Sequence, residues 1–359
     1  MAIDRIAIRN FLLFTGAREF RHGRNNHLNE PLLSYGNSFE AEFINGINIF
    51  IGVNGTGKST LLKCIYAACE FSNEKTNIYK AKRFQDYFSS SKKPIGELGQ
   101  IQSSDDFGLV QVFSGEHEFL CRTFASDALA LDRWLGLDLK SVLIPSMEML
   151  SHSDGLIAMA SKYGIPFDHT QIDILVNAQL WGTNDISDRN KKLLDRIGTV
   201  IDGEVIFEND TFYVLKNSGL KVEFSLEAEG FKKLGLLWRL IRHGHLESGS
   251  VLLWDEPDAS MNPELMPLLA DILYTLKDDG VQIFLATHSY MLAKHLDIRQ
   301  RDDQDVLFIS LSKNATGEIE ASKSHRYAEL AHNPIETAEE NLYNTIVRKF
   351  LRISGDDTI

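Results

Sequence analysis

Eight consecutive residues, Gly52-Val53-Asn54-Gly55-Thr56-Gly57-Lys58-Ser59, fit the spacing G-x-x-x-x-G-K-[ST]. Three glycines in such a run permit a tight turn and a close approach of the backbone to a ligand. Residues 47–51 before it are apolar and read as a strand, and residues 59–69 after it read as a helix. Strand, glycine-rich turn and helix together make backbone N–H groups converge on one anion, and the helix N-terminus adds its positive dipole end. The pattern therefore predicts a nucleoside triphosphate site built from Asn54, Gly55, Thr56, Gly57, Lys58, Ser59 and Thr60. In it Lys58 reaches the β and γ phosphates and Ser59 presents its hydroxyl to Mg²⁺.

Two distant segments supply groups that could act on such a phosphate. In Val251-Leu252-Leu253-Trp254-Asp255-Glu256-Pro257, four apolar residues bury a strand and two acids emerge at its C-terminal end. That is where ligands sit in open α/β sheets. Asp255 is placed to hold Mg²⁺, and Glu256 to orient and polarise an attacking water. In Phe284-Leu285-Ala286-Thr287-His288-Ser289, a second buried strand ends at a polar cluster whose His288 could contact a γ-phosphate. A strand ending in solvated acids needs no ligand to explain it, and a lone histidine is usually structural. The phosphate loop shifts the weighing toward function for both.

The elements that must position these residues follow from patterning. Residues 2–9 alternate like a strand, further strands fall within 17–51, and 22–38 read as a loop. Residues 109–113 and 117–124 read as a hairpin, and 141–144 as a short buried strand stopped by Pro145. Residues 147–200 are helical in pattern without a sustained heptad, which excludes a long coiled-coil arm. Short strands at 205–207, 212–215 and 221–224 precede a helix at 229–243. Apolar strands at 251–254 and 282–286 flank a helix at 263–277, the signature of a parallel sheet covered on both faces. Residues 306–312 read as the last core strand, followed by a polar tail that turns helical at 334–351.

The 359 residues carry a net charge of −13, which argues against a broadly basic nucleic-acid coat but not against a local groove. Basic clusters occur at Lys80, Lys82, Arg83, Lys92 and Lys93, and at Arg189, Lys191, Lys192 and Arg196. Such runs are more often solvated faces than binding sites. Trp134, Trp181 and Trp238 read as core. Cys64, Cys69 and Cys121 lack metal-type spacing, and no signal peptide or bilayer-spanning run is present. A cytoplasmic protein with reduced thiols is expected, with no membrane partner.

Taken in order, the P-loop, the apolar strand ending in Asp-Glu-Pro, Asp258-Ala259-Ser260-Met261-Asn262-Pro263, and Thr287-His288-Ser289 resemble an ABC-type ATPase. The start, Ile8-Arg9-Asn10-Phe11, resembles the DNA-repair and SMC branch rather than transporters. Leu143-Ile144-Pro145-Ser146, Glu148-Met149-Leu150-Ser151 and Glu229-Gly230-Phe231-Lys232-Lys233-Leu234 resemble the compact OLD-like ATPases. The resemblance implies an α/β chain: an ABC-ATPase-type P-loop fold with a mixed core sheet, an antiparallel β subdomain and a helical lobe. The expected division is an ATP-binding core at 1–145 and 226–312, a helical lobe with short strands at 146–225, and a C-terminal helical tail at 313–359.

The resemblance further implies ATP and Mg²⁺ as ligands. A homodimer or higher oligomer would sandwich ATP between the P-loop of one copy and Gly230 of the other. The family's signature serine falls at Ala228, Glu229 would repel a phosphate unless it points away, and the Q-loop glutamine is replaced by Ser146 or Glu148. Hydrolysis that is slow or partner-dependent is the consequence. No nuclease constellation follows His288, so an effector on a separate chain is expected, as in bacterial defence against phage. A DNA repair or recombination ATPase acting directly on DNA is the alternative, with nucleic acid as ligand. A transporter subunit is disfavoured by the missing glutamine and serine.

Overall fold

The three apolar runs around the phosphate loop become adjacent strands of one buried sheet. A computed structural model describes residues 2–14, 39–73, 84–88, 108–123, 128–130, 134–156, 167–179 and 186–355. Lys80, Lys82, Arg83, Lys92, Lys93 and Trp181 lie outside them, as does the loop expected at 22–38.

The central sheet has the order β14-β13-β3-β12-β11-β7. Its strands are β3 (Ile47–Gly52), β7 (Ser141–Ile144), β11 (Val251–Asp255), β12 (Gln282–Thr287), β13 (Val306–Lys313) and β14 (Ile319–Ser324). All neighbours are parallel except β13 and β14. The antiparallel edge explains one departure from sequence reading. Of residues 319–324 only Ile319 is buried, and the strand carries two charges, so it lacks the apolar run that marks a central strand. β13 is therefore not the last strand of the core: the polar stretch after it holds β14 before the helix begins at 334.

Alternation sends side chains of the central strands to two cores. Ile47, Ile49, Ile51, Leu252, Trp254, Ile283 and Leu285 face one cluster. It is filled by α2 (His169–Gln179), α3 (Asp188–Ile201), α4 (Glu229–Arg242), α5 (Met266–Asp278) and α6 (Tyr290–Asp297). Phe50, Val251, Leu253, Phe284 and Ala286 face the other, which α1 (Lys58–Phe71) shares with an antiparallel sheet. That sheet has the order β2-β1-β4-β5-β6, formed by Phe39–Glu42, Arg5–Arg9, Gly108–Ser114, His117–Thr123 and Ala128–Ala130. The hairpin expected at 109–124 is β4 and β5.

The helical pattern expected over 147–200 resolves into α2, α3 and a single 3₁₀ turn at Leu150–His152 among the described residues. A third sheet, β10-β9-β8, joins Gly203–Glu208, Thr211–Lys216 and Lys221–Glu223. Its packing against α4 comes from Val205, Phe212 and Val214, the inward positions of short alternating strands. A last helix, α7 (Pro334–Gly355), follows β14. Trp134 and Trp238 are buried, as are all three cysteines, whose thiols are free.

Candidate functional site

The C-terminal ends of β3, β12 and β11 lie side by side, and register fixes what emerges there. Thr287 pairs with Ile51 one residue before the loop, and Asp255 pairs with Ala286. Residues far apart in sequence thus meet at one sheet edge because each lies at, or just beyond, the C-terminal end of a buried strand.

The loop itself needs its glycines for two different reasons. A Cβ on Gly52 would stand 2.5 Å from the Leu311 carbonyl oxygen, so β13 runs too close for any side chain. Gly57 has φ +89° and a Cβ there would stand 2.6 Å from the Phe14 ring. Thr56 Oγ1 donates to the Val53 carbonyl at 2.9 Å. Lys58 Nζ donates to the carbonyls of Gly52 at 2.7 Å and Val53 at 3.1 Å, which lays the ammonium along the loop. Burial lowers the Lys58 pKa, and the charges of Asp255 and Glu256 oppose that shift.

The Ser59 hydroxyl lies close enough to the Asp255 carboxylate to lower its pKa. Burial raises the Asp255 pKa and Glu256 adds to it, while Ser59 and Lys58 pull it down. A hydroxyl and a carboxylate so placed are the oxygen donors a hard divalent cation takes, so the pair fits Mg²⁺.

Glu256 sits in the left-handed region, at φ +51°. Its N–H donates to the Ala286 carbonyl at 2.8 Å, and its own carbonyl accepts from Ala259 N at 3.2 Å and Lys233 Nζ at 2.6 Å. The turn leaves the carboxylate 41% exposed, with Oε1 3.8 Å from His288 Nε2, whose ring is 36% exposed. Burial and then the charge of Lys58 lower the His288 pKa against the pull of the surrounding carboxylates. At neutral pH the imidazole is mostly uncharged and can serve as acceptor or donor. The Thr287 hydroxyl donates to Asp258 and accepts from Ser289 N at 2.9 Å, tying the loop after β11 to the one after β12.

Lys58, Ser59, Asp255, Glu256 and His288 are thus brought together. Gly230 is not part of that cluster and is not at the surface. It lies in the first turn of α4, and a Cβ there would stand 3.5 Å from Met261. The exposed residues at this helix end are Ala228 and Glu229. Glu229 accepts from Lys232 Nζ at 2.8 Å, which turns its charge back along the helix. The Glu148 carboxylate accepts from Leu150 N at 2.5 Å and Ser151 N at 3.2 Å, so it caps a turn. Ser146 is exposed.

On α3, Arg189 pairs with Asp279 at 2.7 Å, Lys191 with Asp188 at 3.1 Å and Arg196 with Asp271 at 3.0 Å. Three of the four cations of this face are thus met by carboxylates. Sequence reading missed Lys233, Thr287 and Asp258 as members of the site. Thr287 and Asp258 flanked residues already singled out. Lys233 gave no signal, because a lysine in the polar start of an amphipathic helix reads as solvated.

Over residues 181–293 the chain matches the family described as "AAA domain, putative AbiEii toxin, Type IV TA system". No curated protein matches it in sequence. Two solved structures are similar in fold. One is an SMC head bound to the C-terminal winged-helix domain of ScpA, at TM-score 0.51 and 14% identity, covering 90% of this chain and 97% of that one. The other is a Pyrococcus furiosus SMC head domain with an extended coiled coil, bound to the C-terminal domain of ScpA. It gives TM-score 0.50 and 13% identity, covering 96% of this chain and 99% of that one. The chain has the α/β fold of SMC head domains.

Proposed function

We propose that this chain binds ATP with Mg²⁺ and hydrolyses it. The observation that carries the reading is Lys58 laid along the glycine-rich loop beside Ser59 and Asp255, with Glu256 and His288 facing each other just beyond it. The backbone of residues 54–60 and Lys58 bind the phosphates, and Ser59 and Asp255 hold the metal. Bound Mg²⁺ neutralises charge on the phosphate oxygens and orients them. Glu256 accepts a proton from the attacking water, and neutral His288 steadies water or γ-phosphate by hydrogen bonding.

ATP binding is read as driving two copies together, and closure as regulating a separately encoded effector, with a nuclease in phage defence as the favoured class. The partial family match is described as a toxin–antitoxin component, and both similar SMC heads are bound to a second protein. These support a partner-controlled ATPase. Direct action on DNA receives less support, because the basic face of α3 is largely paired internally.

The test compares wild type with Glu256→Gln. The variant should bind Mg·ATP as tightly as wild type while turnover falls about 10²–10⁴-fold, the usual worth of a general base. Unchanged turnover would remove Glu256 from its role. Strong stimulation of the isolated chain by duplex DNA would favour the repair reading over the effector one.

A further inference from the structure

We propose that Lys233 is a positioning residue for hydrolysis: its ammonium clamps the left-handed turn at Glu256 and joins the first turns of α4 to the carboxylate that orients the water. The inference rests on the ATPase reading above and adds a residue that acts through Glu256 without touching substrate.

Lys233 is only 7% exposed. A buried ammonium is costly unless its hydrogen-bonding demand is met. Four carboxylates lie near enough to act on it, those of Asp258, Glu256, Glu229 and Asp255. Yet among the described residues it forms an ion pair with none of them, and its hydrogen bond goes to the backbone carbonyl of Glu256 at 2.6 Å. The neighbouring Lys232 shows the ordinary alternative. It is equally buried along its stem but pairs with the half-exposed Glu229, three residues away on the same helix.

What that carbonyl belongs to explains the arrangement. Glu256 is a non-glycine residue at φ +51°, a conformation that persists only where the surroundings over-determine it. Two of the bonds that hold it, Glu256 N to Ala286 O and Ala259 N to Glu256 O, are backbone bonds available to any sequence. The Lys233 bond is the one made by a side chain. Gly230, one turn earlier on α4, packs against Met261 at the other end of the same loop. The start of α4 therefore holds the loop 255–262 at two points, and a small rotation of the helix would move the Glu256 carboxylate. Misplacement of a reacting group by about 1 Å can cost 10²-fold in rate.

The experiment measures steady-state ATPase and Mg·ATP affinity for wild type, Lys233→Met, Glu256→Gln and the double variant, with Lys140→Met, at an exposed lysine before β7, as control. Lys233→Met keeps the apolar stem and removes the donor. It should lower kcat about 10–100-fold with Mg·ATP affinity within twofold, and Lys233→Gln, which retains a donor, should recover part of the loss. In the Glu256→Gln background Lys233→Met should cost nothing further, because a residue acting through Glu256 has no separate effect once the base is gone. Lys140→Met should stay near wild type. Full activity of Lys233→Met, or a loss that multiplies with Glu256→Gln, would overturn the proposal and leave the ATPase reading standing. A wild-type chain that binds Mg·ATP but does not turn over would overturn both. If Lys233→Met fails to fold, Lys233→Gln carries the same comparison.

Discussion

At the residue scale the site is a set of groups whose ionisation is set by how deeply each lies. The His288 pKa lies below the ordinary histidine value because of burial and the nearby Lys58 charge. Its imidazole is then mostly neutral at pH 7, and half-protonation needs a pH below the ordinary histidine value. Asp255 is displaced in the opposite sense, upward from the usual carboxylate value. The ionised form that the proposed Mg²⁺ site requires is therefore lost at a higher pH than for an exposed aspartate. Turnover should be flat from pH 7 to 8. On acidification the Mg²⁺ concentration for half-maximal activity should climb above pH 4, before an exposed carboxylate would titrate. Steady-state rates over a grid of pH and Mg²⁺ check both statements. An inflection above pH 6.5 that vanishes in His288→Gln would contradict the sign given for His288.

At the element scale two buried amides join the antiparallel sheet to the central one. Gln282 accepts from Ile3 N at 2.7 Å and donates to the carbonyls of Ile3 and Ile44 at 2.8 and 2.9 Å. Asn48 accepts from Ile44 N and donates to the Ile44 carbonyl, both at 2.9 Å. Removing Gln282 leaves buried backbone groups unsatisfied, so Gln282→Ala should destabilise the fold by roughly 1–3 kcal/mol. A urea midpoint equal to that of wild type would refute this. Both amides sit inside apolar strands, where sequence pattern registers them only as interruptions. The strands of the parallel core, the P-loop helix and the 108–123 hairpin were legible, because continuous apolar runs and turn residues report local geometry directly. β14 was not, because an edge strand with a solvated face carries no such run. Lys233 and the burial of Gly230 were not legible either, since both depend on how α4 is pressed onto the loop 255–262, which no local pattern encodes.

At the scale of the whole molecule, three apolar side chains stand in water on segments next to the site. Val53 in the loop, Leu226 just before α4 and Met291 at the start of α6 are all exposed, Leu226 at 76%. Each belongs to a segment that ends at the site: the loop itself, the turn entering the Gly230 helix, and the helix following His288. Exposed apolar residues on segments that flank a site are ones a partner surface can cover. Two copies related by a two-fold axis would cover them reciprocally, since a self-complementary interface uses the same patch twice. ATP would close that interface by bringing negative charge to the exposed N-terminus of α4, where the helix dipole favours it. Glu256→Gln, which retains ATP, should therefore shift from monomer to dimer in light scattering on addition of Mg·ATP. Leu226→Glu in the same background should hold it monomeric while leaving Mg·ATP affinity unchanged, because the side chain touches solvent and not the loop. A dimer that forms equally with and without nucleotide, or that survives Leu226→Glu intact, would place the contact between copies elsewhere on the molecule.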